Sequence, residues 1–249
     1  MKPSKPLLQI QPSFKNLFIF QFFFFVMHEL HELAHIITGR MLCGNWGTRD
    51  FNVWSLCDTC KTAHPQIATF AGPLFTFVML WLGSYWLTYG RTSTIRSLAL
   101  VFIFGNMPFG RLYMAAMGSG DELFGLGSLF INADHSNLWL IRLAGFLIVA
   151  LFCIPPIIMA YKAIAGKNKL LIFISLLIIP LILDTIILLI LLNGLLSKGI
   201  LSQIFLMGTP LLVTLWFAGC LSIVLPNYKS LLNFAIIKPA KPLPGTPVS

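Results

Sequence analysis

Residues 14–39 read FKNLFIFQFFFFVMHELHELAHIITG. The first half is as apolar as lipid. The second half carries three histidines and two glutamates within eight residues, 28–35. An ionisable side chain at the bilayer centre costs about 2.5–3.5 kcal/mol or more. A span that places five such groups together must regain that cost through chemistry that a bare hydrocarbon helix does not have.

The rest of the chain agrees that the solvent is a membrane. Of 249 residues, 57% are hydrophobic and only 10% are charged, whereas about a quarter of residues are charged in a soluble domain. The mean hydropathy is +0.85. The expected fold class is therefore an all-α polytopic membrane protein. Six segments are long enough to cross, at roughly 20 residues each: 15–38, 65–89, 94–117, 137–160, 169–194 and 200–225. The net charge of +9 does not indicate nucleic acid. The basic residues sit at the ends of apolar runs, where they meet headgroups of the lipid bilayer, and form no stripe interleaved with aromatics.

The third segment is broken by Gly105, Asn106, Pro108 and Gly110. Irregular backbone at membrane depth is tolerated where protein or a cavity covers it, so this break points inward, towards a site. Residues 39–64 form a loop with short β-prone pieces after the first span. A second polar connection covers 118–136. The expected organisation is a tail over 1–14, a three-span core over 15–136, an accessory three-span bundle over 137–225 and a basic, Pro-rich, disordered tail over 226–249. No internal repeat is visible. No small-residue cleavage site follows the first apolar run, so it reads as a span and not as a signal peptide.

His31-Glu32-Leu33-Ala34-His35 spells H-E-x-x-H. Four residues turn a helix by about 400°, so the two histidines share a face one turn apart. Two imidazoles at that spacing can close on one Zn²⁺, with Glu32 beside them as a base that does not ligate. The bland alternative is a proton relay or a polar network between helices. His28 shares the face and is a packing group or an alternate ligand. Glu29 points away and is expected to pair with Arg111 or Arg142, or to face an aqueous edge. A third ligand must come from Asp121, Glu122, Asp134, His135 or Asp184.

HELAH in one span, ATFAGPLFTF (68–77) in the next, and GNMPFG (105–110) followed by an acid resemble the site-2 protease family of intramembrane zinc metalloproteases. The resemblance covers roughly residues 15–135. Ala71-Gly72-Pro73 matches fully. The third motif departs: Asn106 precedes Pro108 by one residue fewer than in the family, and Asp121 is followed by Glu122 where the family has Gly. Asp121 is the best match for the third ligand and Asp134 the runner-up.

The resemblance implies a zinc-dependent metalloendopeptidase that hydrolyses peptide bonds within membrane-protein substrates. Zn²⁺ would be held by His31, His35 and Asp121. Glu32 would be the general base, and Asn106 would hydrogen-bond the substrate backbone or the developing oxyanion. An edge strand from residues 44–56 could pair with an unwound substrate segment. Gly72-Pro73 reads as a kink, as a close approach to the zinc helix, or as both.

Three features lie outside that pattern. Cys57, Cys60 and His64 have the spacing of half a zinc ribbon, with loop thiols as the ordinary reading. The five cysteines do not suggest a disulfide framework. Asp184, inside the fifth apolar segment, is expected to hydrogen-bond between helices. Orientation is contested. The lysine and arginine distribution favours cytoplasmic termini, whereas many bacterial members of the family place the loop after the first span in the cytoplasm. The expected location is a bacterial or archaeal cytoplasmic membrane. The rival functions are a catalytically silent membrane scaffold and a metal- or ion-handling protein.

Overall fold

The computed structural model describes residues 7–130 and 138–237. Its elements in chain order are β1 (Leu8–Ile10), α1 (Phe14–Cys43), β2 (Thr48–Arg49), β3 (Trp54–Ser55), α2 (Gln66–Tyr89), α3 (Ser93–Gly105), α4 (Pro108–Ala116), α5 (Asp121–Phe130), α6 (Leu138–Ala163) and α7 (Lys169–Asp184). A π-helical run, Thr185–Leu192, leads into α8 (Asn193–Ser197), β4 (Ile204–Leu206), β5 (Thr209–Pro210), α9 (Leu211–Val224), α10 (Tyr228–Leu232) and β6 (Ala235–Ile237).

Helix α1 runs through the centre. Ser13 caps its start by accepting from the Asn16 amide at 3.2 Å. Gly44 ends it in the left-handed region at φ 76°, a conformation that glycine adopts without a Cβ clash. Its 30 residues make a rod of about 45 Å, longer than a hydrocarbon core. Phe20, Phe24 and Phe25 are fully buried, alongside Leu80, Leu100 and Phe104 of the next two spans. α1 is buried over 61% of its most apolar window, whereas α6 and the α7–α8 run are buried over 28% and 22% of theirs. The outer helices therefore present apolar faces to lipid.

Among the described residues, five helical runs are long and apolar enough to cross a membrane. The sixth expected segment, 200–225, differs. Its first third folds into the β4–β5 pair, leaving an apolar helix of 14 residues, α9. Gly199 and Gly208 at positive φ turn the chain there. α9 packs directly on α1, and α6 on α2 and α4, so the last three apolar segments close around the first three.

The ends of the molecule are tied together. β1 and β6 pair antiparallel, Leu8 opposite Ile237 and Ile10 opposite Ala235. The Ala165 amide donates to the Leu8 carbonyl at 2.8 Å, and Ser93 and Ser97 hydrogen-bond to the 231–237 segment. One face of the bundle therefore collects β1, β6, the α2–α3 turn and the α6–α7 turn. We call it the terminal face. This corrects the expectation of a disordered tail from residue 226: residues 228–237 are ordered because Leu231, Phe234 and Ala235 are buried. Residues 238–249 lie outside the described residues.

The opposite, loop face carries the β2–β3 pair and the β4–β5 pair. Arg49 joins them, its amide donating to the Gly208 carbonyl at 3.2 Å and its Nε to Thr209 Oγ1 at 3.0 Å. Cys43 and Cys60 form a disulfide there. That overturns the half-ribbon reading of Cys57, Cys60 and His64. The left-handed turn at Gly44 starts the chain back on itself, and residue 60 returns to the helix end. Cys57 is left free and half-exposed.

Candidate metal centre

His31 and His35 project from α1 towards α2 and α5. Their Nε2 atoms are 3.2 Å apart. Asp121 Oδ2, at the start of α5, lies 3.2 Å from the first and 3.6 Å from the second. The donor atoms of a tetrahedral zinc site, with bonds near 2.0–2.2 Å, stand about 3.3 Å apart. These three atoms are spaced as one face of such a tetrahedron.

The opposite edge of each ring is held in place. His35 Nδ1 lies 2.7 Å from the Ala68 carbonyl. A carbonyl can only accept, so Nδ1 carries the proton and Nε2 of the neutral ring offers its lone pair to the centre. His31 Nδ1 lies 2.9 Å from Thr76 Oγ1. Both partners come from α2. Metal-ligating histidines are commonly oriented in this way through their second nitrogen. Trp54 of β3 stacks on the His35 ring, centroids 4.7 Å apart and planes inclined by 10°.

Helix α2 comes this close because residue 72 is glycine. A Cβ there would fall against the Nε2 atoms of both His35 and His31. Pro73 follows inside the same helix. The close approach anticipated for this pair is thus present.

Glu32 is 6% exposed, and its Oε2 is buried without a hydrogen-bond partner. Ligand atoms of His31, Glu32 and His35 all lie within 4.8 Å of one another. A buried, unpartnered carboxylate oxygen beside converging nitrogens is a group awaiting a proton or a solvent molecule. Asp121 lies beyond the ends of the spans. Burial alone would raise its carboxyl; the ring nitrogens of His31 and His35 and the Arg111 guanidinium outweigh burial and hold it well below the usual carboxylate range. It is therefore an anion, as a ligand must be.

Arg111 is the site residue that sequence reasoning missed. Its Nη1 lies 3.0 Å from Asp121 Oδ2 and 3.8 Å from Glu122 Oε2. Its Nη2 contacts His31 Nε2. A dication and a guanidinium cannot both hold that nitrogen, so a metal bound there would have to displace this contact. The signal was available: Arg111 is an arginine inside an apolar span, one turn past Pro108 and ten residues before Asp121.

The break in the third span is where the sequence places it. Asn106 ends α3, Met107 takes φ 51° and Pro108 opens α4. A non-glycine residue in that region is strained. Asn106 is 2% exposed. Its Nδ2 donates to the Phe102 carbonyl at 2.7 Å, while Oδ1 is unpartnered. Its one donating group therefore faces back along its own helix.

The remaining candidates go elsewhere. His28 Nδ1 lies 3.0 and 3.1 Å from the two oxygens of Asp184, so both leave the ligand contest. Glu29 pairs with Arg49, Nη2 to Oε2 at 2.9 Å, and not with Arg111 or Arg142. Arg111 is occupied at the centre, and the loop delivers Arg49 to the outward side of α1. Glu122 faces Arg111 and not the histidines. Asp134 and His135 lie outside the described residues.

Comparison of the chain with protein-family models, with curated proteins and with solved structures finds no match in any of the three.

Proposed function

We propose that this protein is a six-span zinc metallopeptidase of the site-2 type, cleaving peptide bonds in membrane-embedded segments of other proteins. The observation that carries the reading is the triangle of His31 Nε2, His35 Nε2 and Asp121 Oδ2, with sides of 3.2 to 3.6 Å, two of its corners on the apolar helix α1. Those two histidines and one carboxylate are a donor set suited to zinc with a fourth position free.

Zinc bound there would supply Lewis acidity towards a carbonyl and lower the pKa of water to about 7. Glu32 takes the proton of the attacking water through its unpartnered Oε2. The new bond joins water oxygen to the carbonyl carbon. Glu32 then returns the proton to the amide nitrogen as the C–N bond breaks, leaving a carboxylic acid and an amine. Arg111 supplies the positive charge that meets the developing oxyanion, because its guanidinium is held beside the centre by Asp121. Asn106 gives one Nδ2 hydrogen to the Phe102 carbonyl and keeps a second, so it stays a candidate donor beside Arg111.

A second reading is favoured by one observation, the contact of Arg111 Nη2 with His31 Nε2. In it the guanidinium is the permanent cation of a metal-free cluster, and the protein is a silent membrane scaffold.

Metal analysis of protein purified in detergent separates the two. The peptidase reading expects about one zinc per chain, lost in the His31→Ala/His35→Ala double variant. Glu32→Gln should keep the zinc and abolish cleavage of a reporter transmembrane segment. Asp121→Asn should lose zinc while Asp134→Asn keeps it. Protein free of zinc after native purification would favour the scaffold.

A further inference from the structure

The two faces of the bundle differ in charge and in sulfur chemistry. The segments that gather at the terminal face hold Lys15, Arg91, Arg96, Lys162, Lys167, Lys169 and Lys229, and the sequence adjoining them adds Lys2, Lys5, Lys238 and Lys241, with no Asp or Glu. The loop face and the helix ends beside it hold Arg40, Arg49, Lys61, Arg142 and Lys198, together with Asp50 and Asp58. Lysine and arginine accumulate on the cytoplasmic side of membrane proteins. The Cys43–Cys60 disulfide lies on the loop face, and structural disulfides persist in oxidising compartments. The two signals are independent, and they select the same side. The β1–β6 pairing adds that residues 8–10 and 235–237 share a face, which requires an even number of crossings between them and makes α9 the sixth.

We infer that the termini lie in the cytoplasm, that the disulfide-stapled loop lies in the exterior, oxidising compartment, and that the candidate metal centre draws its substrate from the exterior half of the bilayer. His35 stands eight residues before the loop-face end of α1, about 12 Å down the helix, whereas His31 stands about 26 Å from its other end. Trp54, carried by the stapled loop, covers His35. The shorter path to the centre therefore starts at the loop face, and Trp54 is the group that an entering chain must displace. The substrate class follows: membrane proteins with an extended or helix-broken segment in the outer half of a span. This last step rests on the peptidase reading, whereas the orientation does not.

The free Cys57 of the loop is a natural reporter. A membrane-impermeant maleimide applied to intact cells expressing the full chain should modify Cys57. Lys167→Cys, in a Cys57→Ser background, should react only after permeabilisation. Reaction of Lys167→Cys in intact cells, or of Cys57 only after permeabilisation, would overturn the orientation. In denatured protein, three thiols should react without reductant and five after it; five without reductant would remove the disulfide argument. None of these readouts needs metal or turnover, so a correctly oriented but inert chain sinks the peptidase and leaves the topology standing. In an active preparation, reporter segments with a helix break in the outer half should be cut at least tenfold faster than those broken in the inner half. Equal or reversed rates would overturn the substrate assignment.

Discussion

His28 on α1 and Asp184 on α7 meet across 156 residues of sequence, with Nδ1 at 3.0 and 3.1 Å from the two carboxylate oxygens. Gln21, two turns earlier on α1, donates to the Pro180 carbonyl of α7 at 3.4 Å. The fifth apolar run is thus pinned to the central helix at two polar points, and directly after the second it changes from α to π geometry at Thr185. Here the wider turn follows the residue that anchors the helix to the centre.

That pair predicts a double-variant signature. Both groups are buried, so removing one leaves an uncompensated polar partner, at about 3–5 kcal/mol for a buried pair. Asp184→Leu should lower the thermal midpoint in detergent strongly. His28→Leu/Asp184→Leu should recover much of the loss. Additive losses would mean that the two residues act separately.

Arg49 predicts a comparable loss on the loop side. Its guanidinium pairs with Glu29 at 2.9 Å and bonds Thr209 at 3.0 Å, yet Arg49 Nη1 and Glu29 Oε1 stay buried without partners. Arg49→Met strands Glu29 inside the bundle, at a cost of about 3–5 kcal/mol. Adding Glu29→Gln should restore part of it. Limited proteolysis within 44–64 should speed up in Arg49→Met and slow again in the double variant.

What could be read from the sequence follows the distance over which each feature is encoded. The meeting of His31 and His35 needs only one helical turn, and the break at 105–110 needs only Pro108 beside glycines. Both are local. The Gly72 approach needs two helices but leaves a trace, a glycine beside a proline in an otherwise bulky span. His28–Asp184, Glu29–Arg49 and Cys43–Cys60 leave no such trace, because each partner is chosen by the path of a loop or by the packing of a distant span. Cys57 even supplied a decoy, since C-x-x-C spacing conceals the true partner 17 residues upstream of Cys60. The ordered 228–237 segment was missed for the same reason: it sits between Pro226 and a basic, Pro-rich stretch, and its partner strand is residues 8–10, far away in the sequence.

Gly72 gives a third prediction. A methyl group there would lie 2.6 Å from His31 Nε2 and closer still to His35 Nε2. Gly72→Ala should fold, since alanine is the better helix former. It should also push both imidazoles off their common centre. The expected result is a tenfold or greater loss of zinc affinity in competition with a chelator, in a metal-free protein that still folds but whose thermal midpoint is lowered by the displaced rings. Retained zinc affinity would show that α2 does not wall the centre.

Arg111 gives the fourth, and it decides between the two proposed functions. In the peptidase the guanidinium competes with the metal for His31 Nε2 and then serves the oxyanion. Arg111→Gln should therefore bind zinc at least as tightly as the parent while turning over about 10²–10³-fold more slowly, the loss typical of one oxyanion donor. In the metal-free scaffold the same residue neutralises Asp121 and faces Glu122. Arg111→Gln would then leave two acids beside each other without a cation, and the thermal midpoint should fall with no zinc bound in either protein. Parallel measurements of zinc content, thermal midpoint and reporter cleavage on this one variant read opposite patterns for the two cases. Tight zinc with slow cleavage makes the cluster an active site; a destabilised protein without zinc makes it a structural network held by an arginine.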